Sequence, residues 1–381
     1  MKNIYFDNAA TSFPKPKEVV EQIHYFLTEI GANVQRGLYD LAFSTAQTIL
    51  ETRELLETLF HFPQTENIIF TKNITESLNL IIKGLLKPTD HVLVSALEHN
   101  AVLRPLYSLQ KKGLQVSQIP YSTANPLDLS WVKKKIRPNT KAIILTQASN
   151  VCGTILPLKD ISKLCQEKDI FLIIDSAQTA GYLEINFTDL NLDALAFTGH
   201  KGLLGPMGIG GLLLRDELAK TLSPLIEGGT GSFSEQLAHP QCLPDKFEAG
   251  TLNIPGIYGL NAALKYLLKT KISTIQEKEK NLTQHFLRGI KEITEIEIIG
   301  PHDPEKRVPL VSLNFPKRDN AQIATLLAEK YGIMTRCGLH CAPAAHQTLG
   351  TYPQGTVRFS FNHFNTCSEI DYALSVLKSL L

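Results

Sequence analysis

Within the eleven residues 336-RCGLHCAPAAH-346 the chain places two cysteines, two histidines and an arginine. Such a cluster suits a thiol nucleophile, a metal site or a disulfide, and the residue types alone leave all three open. A second stretch, 197-FTGHKGLLGPMGIGG-211, sets Lys201 among glycines directly after an apolar run. A lysine at the carboxyl end of a buried strand is partly desolvated, which lowers its pKa and frees the neutral amine for Schiff-base chemistry. Asp175 closes another apolar run, 171-FLIIDSA-177. There a carboxylate can keep a pyridinium nitrogen protonated, or simply cap a helix. The stretch 73-NITESL-78 opens a helix after a strand, offering backbone N–H groups and the Thr75 hydroxyl to a phosphate. A plain N-cap with Glu76 in the first turn explains the same residues.

These groups need a scaffold that brings them together. Apolar runs at 67-NIIFT-71, 91-HVLVSA-96, 142-AIILTQ-147, 171–177, 194-ALAFTG-199 and 209-IGGLLLR-215 read as strands. Helical patterns fall between them, such as Leu78, Ile81, Ile82 and Leu85, and 158-LKDISKLCQEK-168. Near-continuous apolar strands separated by helices imply an α/β fold with a mostly parallel central sheet covered on both faces. In such sheets ligands collect at the carboxyl ends of the strands. Thr75, Glu98–His99, Asn150, Asp175 with Gln178, and His200–Lys201 all follow strands there, which calls for one joint explanation. From about residue 260 the pattern changes to the helices 261-NAALKYLLKT-270 and 275-IQEKEKNLTQHFLRGIKE-292. Strands at 308-VPLVSLNF-315 and 356-TVRFSF-361 follow, then a helix from about Glu369. The expected organisation is an N-terminal segment 1–20 reaching the site, a large domain 21–260 and a smaller α+β domain 261–381.

The 381 residues are 43% hydrophobic and 20% charged, with 38 Lys and Arg against 37 Asp and Glu. That composition is of an ordinary globular protein, and the balanced charge gives no reason to expect nucleic acid or a membrane surface as partner. The apolar runs are too short to span a bilayer, and MKNIYFDNAATSFPKPKE lacks the apolar core of a secretory signal. Six cysteines without framework spacing fit free thiols in a reducing compartment, so the cytoplasm is expected.

The ordered set 5-YFDNAATSFPKP-16, 75-TESLNL-80, 98-EHNA-101, 149-SNVCGT-154, 175-DSAQ-178, 198-TGHKGLLGPMGIG-210, 247-FEAGTLN-253, 336-RCGLHCA-342 and 357-VRFSFNHFNT-366 covers essentially the whole chain. It resembles the fold-type I, pyridoxal phosphate (PLP)-dependent enzymes of the class V aminotransferase group, and among them the cysteine desulfurases. The resemblance implies that Lys201 carries the cofactor and moves protons, Asp175 pairs with the pyridine nitrogen and Gln178 binds the ring oxygen. It puts His99 on the ring face, with a catalytic part in proton transfer, counts Asn150 among the cofactor-binding residues, and puts Thr75, Thr198 and His200 on the phosphate, joined by Thr251 from the other subunit of a homodimer. It gives Arg358 the substrate α-carboxylate, with Asn150 beside it and Arg36 as a further substrate-binding residue.

In that family the cysteine of R-x-G-x-H-C-A takes the substrate's sulfur as a persulfide, which here implies Cys341 as the nucleophile. L-cysteine would yield L-alanine, with the sulfur passed on to an acceptor protein. Arg336, His340 and His99 are candidates to favour the thiolate. Cys165 is expected in a helix face. Burial or partial exposure is the default for Cys152, Cys242, Cys337 and Cys367, and Cys337 is a candidate for oxidation alongside Cys341. No second paired cluster completes a zinc site around Cys337 and Cys341, so no metal is expected. A selenocysteine lyase or another class V lyase or aminotransferase shares this apparatus and is the alternative enzyme; a non-catalytic PLP- or metal-binding protein is the alternative of another kind. The segment leading into Cys341 is similar to the SUF-like group. Gln35, Tyr39 and Gln147 stand where relatives often carry histidines, which bears on the acceptor and pathway more than on the chemistry.

Overall fold

A computed structural model describes residues 3–34 and 37–380. The chain starts with β1 (Ile4–Tyr5), α1 (Lys17–Tyr25) and α2 (Asp40–Phe60). It then alternates through β2 (Ile68–Thr71), α3 (Ile74–Leu85), β3 (His91–Ser95), α4 (Asn100–Gln110), β4 (Gln115–Ile119), α5 (Leu129–Lys135), β5 (Thr140–Thr146) and α6 (Leu158–Lys168). Three strands follow, β6 (Phe171–Asp175), β7 (Ala194–Thr198) and β8 (Gly210–Leu214), then α7 (Asp216–Thr221), α8 (Ile254–Thr270) and α9 (Ile272–Lys291). The last part holds β9 (Glu297–Ile299), β10 (Leu310–Asn314), α10 (Asn320–Tyr331), β11 (Ile333–Met334), β12 (Arg336–Gly338), α11 (Pro343–Thr348), β13 (Thr356–Ser360) and α12 (Cys367–Ser379).

The large sheet has the order β2-β8-β7-β6-β5-β3-β4. Strands β3 to β7 pair in parallel, and β8 inserts antiparallel between β2 and β7. Side chains alternate between its two faces with period two. Ile143, Leu145, Leu172 and Ile174 enter one buried cluster, while Ala142, Ile144 and Ile173 enter the other. Both faces are therefore dry, which is why these strands read as continuous apolar runs. A third cluster, built from α9, α12 and the antiparallel sheet β12-β13-β10-β9, includes Ile4 and Phe6 from the N-terminus.

The N-terminal segment ties this smaller sheet to the large one. β1 pairs in parallel with β11, and Ser360 N donates to Phe6 O at 2.7 Å. A few residues on, Ser12 N donates to His200 O at 2.9 Å, immediately before Lys201. The Lys201 loop packs closely on the turn after β6. Gly181 has φ 85, and a Cβ there would lie 2.2 Å from Gly202 O, so no side chain fits.

Candidate active site

The carboxyl ends of β6 and β7 carry Asp175 and Thr198, with Thr146 of β5 in register beside Asp175. Asp175 is buried, and its Oδ1 accepts a 2.8 Å hydrogen bond from Ala177 N. Desolvation raises its pKa, while that backbone bond and the Lys201 ammonium counteract. Lys201 is half-buried, and its amine lies deep enough that desolvation pushes its pKa down to about 8, against the opposing pull of Asp175. The His200 carbonyl next to it accepts from Thr11 Oγ1 at 3.1 Å, Ser12 Oγ at 3.2 Å and Lys15 Nζ at 2.8 Å, besides Ser12 N. Four donors on one oxygen fix the backbone from which Lys201 projects.

His99 caps α4, its Nδ1 accepting from Ala101 N at 3.0 Å. Burial and the charge of Lys201 lower its pKa to about 4. The ring is therefore neutral near pH 7 with its proton on Nε2. Asn73, and not Thr75, caps α3 by accepting from Glu76 N, which leaves Thr75 exposed on the first turn. Thr75, His99 and Cys341 line one cleft. Lys201 and Gln178 line a second pocket with Asn8 and Ser12, and Gln178 Nε2 donates to Ala9 O at 3.1 Å.

Arg358, on β13, is buried and faces Asp7 and Asn150. Its Nη2 donates to Asp7 Oδ1 at 3.3 Å and its Nη1 to Asn150 O at 2.9 Å, leaving a buried Nε without a partner among the described residues. Asp7 also takes Arg336 in a two-pronged contact, from Nε at 3.0 Å and Nη2 at 2.8 Å. Asn150 turns its side chain the other way and donates from Nδ2 to His340 O at 2.7 Å. Cys341 is exposed, in a left-handed conformation with φ 57. Lys201, Arg336 and Arg358 lie within electrostatic reach of Cys341.

Two expectations for this loop change. His340 is buried against Thr356, its Nε2 3.0 Å from Thr356 Oγ1, and desolvation drives its pKa down to about 2. His340 and His99 are both neutral, so neither supplies an imidazolium to the thiol; among the described residues Lys201, Arg336 and Arg358 are cations in electrostatic reach of Cys341. Cys337, a residue of β12, packs against the small-sheet core, and burial raises its thiol pKa, which works against its oxidation together with Cys341. Cys152 and Cys165 are buried, Cys165 with its pKa raised to about 12, and Cys242 and Cys367 are exposed. Among the described residues no group of three or more His, Cys, Asp or Glu is placed to hold a metal ion.

Thr251 is exposed beside Lys72 and Glu76 and does not join the Lys201 pocket of its own chain. Arg36 and Gln35 lie outside the described residues. Gln147 is buried, its Oε1 accepting from Thr179 Oγ1 at 2.6 Å. Sequence reasoning gave no role to Asp7, Ser12 or Lys15, although they sit in the N-terminal motif that carried the resemblance.

The pocket suits the cofactor that the sequence resemblance implies. Among the described residues Thr198 Oγ1 and His200 Nδ1 are buried without hydrogen-bond partners, close in sequence to the desolvated Lys201 amine. Buried polar groups are normally satisfied, so these two call for a polar ligand.

Comparison with known proteins gives the family. Residues 4–373 match the aminotransferase class-V family. The chain is 36% identical to a probable cysteine desulfurase of Pyrococcus abyssi, over 99% of this chain and 94% of that one. Its structure resembles the apo cysteine desulfurase of Thermococcus onnurineus, with TM-score 0.92, 35% identity, and 99% and 94% of the two chains covered. An S-sulfonic acid form of the cysteine desulfurase CsdA from Escherichia coli aligns with TM-score 0.89 at 29% identity, covering 99% and 94% of the two chains.

Proposed function

From a chain that belongs to the class V aminotransferase family, with cysteine desulfurases as its full-length relatives, we infer an enzyme that converts L-cysteine to L-alanine and keeps the sulfur as a persulfide on Cys341. Enzymes of this family are PLP-dependent, and the bound cofactor supplies an electron-accepting ring that acidifies the amino acid's α-proton. Asp175, Gln178 and His99 are the residues that would hold that ring, and Thr75, Thr198 and His200 its phosphate. Arg358 grips the substrate α-carboxylate through its fork, a task that suits a guanidinium. Lys201, with its amine partly neutral near pH 7, carries the cofactor and takes and returns the α-proton at Nζ.

Cys341 Sγ, as thiolate, attacks the substrate sulfur. The new S–S bond forms as the carbon–sulfur bond breaks, and the β-carbon keeps the electron pair and gains a proton. The two sulfurs end as a persulfide and the carbon is reduced to the methyl of alanine, so no external oxidant or reductant is needed. The persulfide sulfur then passes to an acceptor protein.

The observation that carries this reading is the place of Cys341, exposed on the cleft with His99 and in electrostatic reach of Lys201 and Arg358. A homodimer with Thr251 reaching the partner's site completes the proposal. The test is to incubate the PLP-loaded protein with L-cysteine, quantify alanine and map the persulfide by mass spectrometry. Equal alanine and persulfide in a single turnover, on the Cys341 peptide, is expected; alanine with no modification of Cys341 would sink the reading.

A further inference from the structure

His340 and Cys341 have φ of 47 and 57, two consecutive residues with side chains in the left-handed region. Residues other than glycine adopt that conformation at a cost and keep it only where the surroundings over-determine it. Three contacts from outside the loop do so here. Asn150 Nδ2 donates to His340 O at 2.7 Å, Asn100 N donates to Cys341 O at 2.9 Å, and Thr356 Oγ1 lies 3.0 Å from His340 Nε2. Asn150 stands apart among them. Its side-chain amide reaches the loop, while its main-chain carbonyl accepts from Arg358 Nη1 at 2.9 Å. One residue thus touches both the turn that presents the thiol and the guanidinium set to receive the carboxylate.

We propose that Asn150 is a positioning residue for the sulfur-accepting thiol: its amide, with Thr356, holds the left-handed turn that presents Cys341, and its carbonyl registers that turn against Arg358. The functional consequence rests on the reading of Cys341 and Arg358 given above. The anchoring itself is a property of the resting protein. An amide has two N–H groups, so Asn150 can keep His340 O and still offer a donor toward the α-carboxylate.

Hydrogen–deuterium exchange of the segment 338–346 in the resting protein tests the anchoring. Asn150→Asp keeps the size of the side chain but turns a carboxylate oxygen toward His340 O. Exchange of this segment is expected to quicken about fivefold, the scale of one lost hydrogen bond, with 171–175 unchanged. Thr356→Val removes the second anchor without touching the substrate site and is expected to quicken the same segment. In the PLP-loaded enzyme Thr356→Val should lower kcat for L-cysteine by about tenfold, with KM within about twofold, because a displaced nucleophile slows the reaction and leaves binding alone. Segment exchange at the parent's rate in Asn150→Asp, or an unchanged kcat in Thr356→Val, would overturn the proposal. Failure of the desulfurase reading would show separately, as a parent enzyme that forms no persulfide.

Discussion

Lys201 is the residue whose chemistry depends most on its surroundings. Desolvation lowers its ammonium pKa from 10.5 to about 8, while Asp175 resists that fall. At pH 7 an amine with pKa about 8 is roughly one-tenth neutral, against about 0.03% for an ordinary lysine, a gain of ~300-fold in the form that captures an aldehyde. The rate at which the cofactor-free protein takes up pyridoxal phosphate, followed by absorbance across pH, reads this directly. A lowered lysine pKa means that the reactive form fills in as pH rises through the folded value. Uptake should therefore climb from pH 6, bend near pH 8 and level off above about pH 9. Asp175→Asn removes the charge that holds the ammonium form and moves the bend to lower pH. A rate that keeps rising tenfold per pH unit to pH 10 would refute the reasoning, since it would mean that Lys201 titrates like a lysine in water.

Two stability measurements probe the supporting structure. Glu98 is fully buried with Oε2 unpartnered among the described residues, and desolvation raises its pKa to about 8. A carboxyl that is harder to ionise folded than unfolded costs stability as pH rises from about 4.5 to 8, reaching about 3 kcal/mol at pH 7. Glu98→Gln should remove that slope, gaining about 3 kcal/mol on the parent between pH 4.5 and pH 7 in denaturant unfolding of the cofactor-free protein; parallel pH curves would contradict it. Arg53 Nη2 lies 2.7 Å from Glu248 Oε2 in a buried ion pair, and its Nη1 also donates to Ile68 O. Arg53→Ala strands the Glu248 carboxylate and should cost about 3–5 kcal/mol in the same assay, whereas a loss under about 1 kcal/mol would show the pair to be solvated.

How much of this was legible in the sequence follows from burial. Strands β5, β6 and β7 lie mid-sheet with both faces covered, so their apolar runs marked them to within about two residues. Strand β4, QVSQI, is an edge strand with mixed burial, and its composition carries no such signal. Strands β1, β11 and β12 are only two or three residues long, too short for any period to show. Helix α9 starts at Ile272, directly after Lys271 turns the chain with φ 68, earlier than the expected 275. At the site, Asp175, His99 and Lys201 could be picked out because each ends or follows an apolar strand. Asp7 bridging two arginines and Asn150 holding His340 O join residues far apart in sequence, through contacts that no local pattern encodes. The neutrality of His340 likewise comes from burial against a distant strand, so its sequence position beside Cys341 suggested a role that the fold withholds.

The central claim is that Cys341 Sγ, and no other thiol of the chain, receives the substrate's sulfur. The most direct measurement compares Cys341→Ala with Cys337→Ala in single turnovers with sulfur-labelled L-cysteine, counting protein-bound label and alanine. The account predicts that Cys337→Ala binds label like the parent, and that Cys341→Ala binds none and releases alanine at least about a hundredfold more slowly. Label retained in Cys341→Ala, or lost in Cys337→Ala, would contradict it.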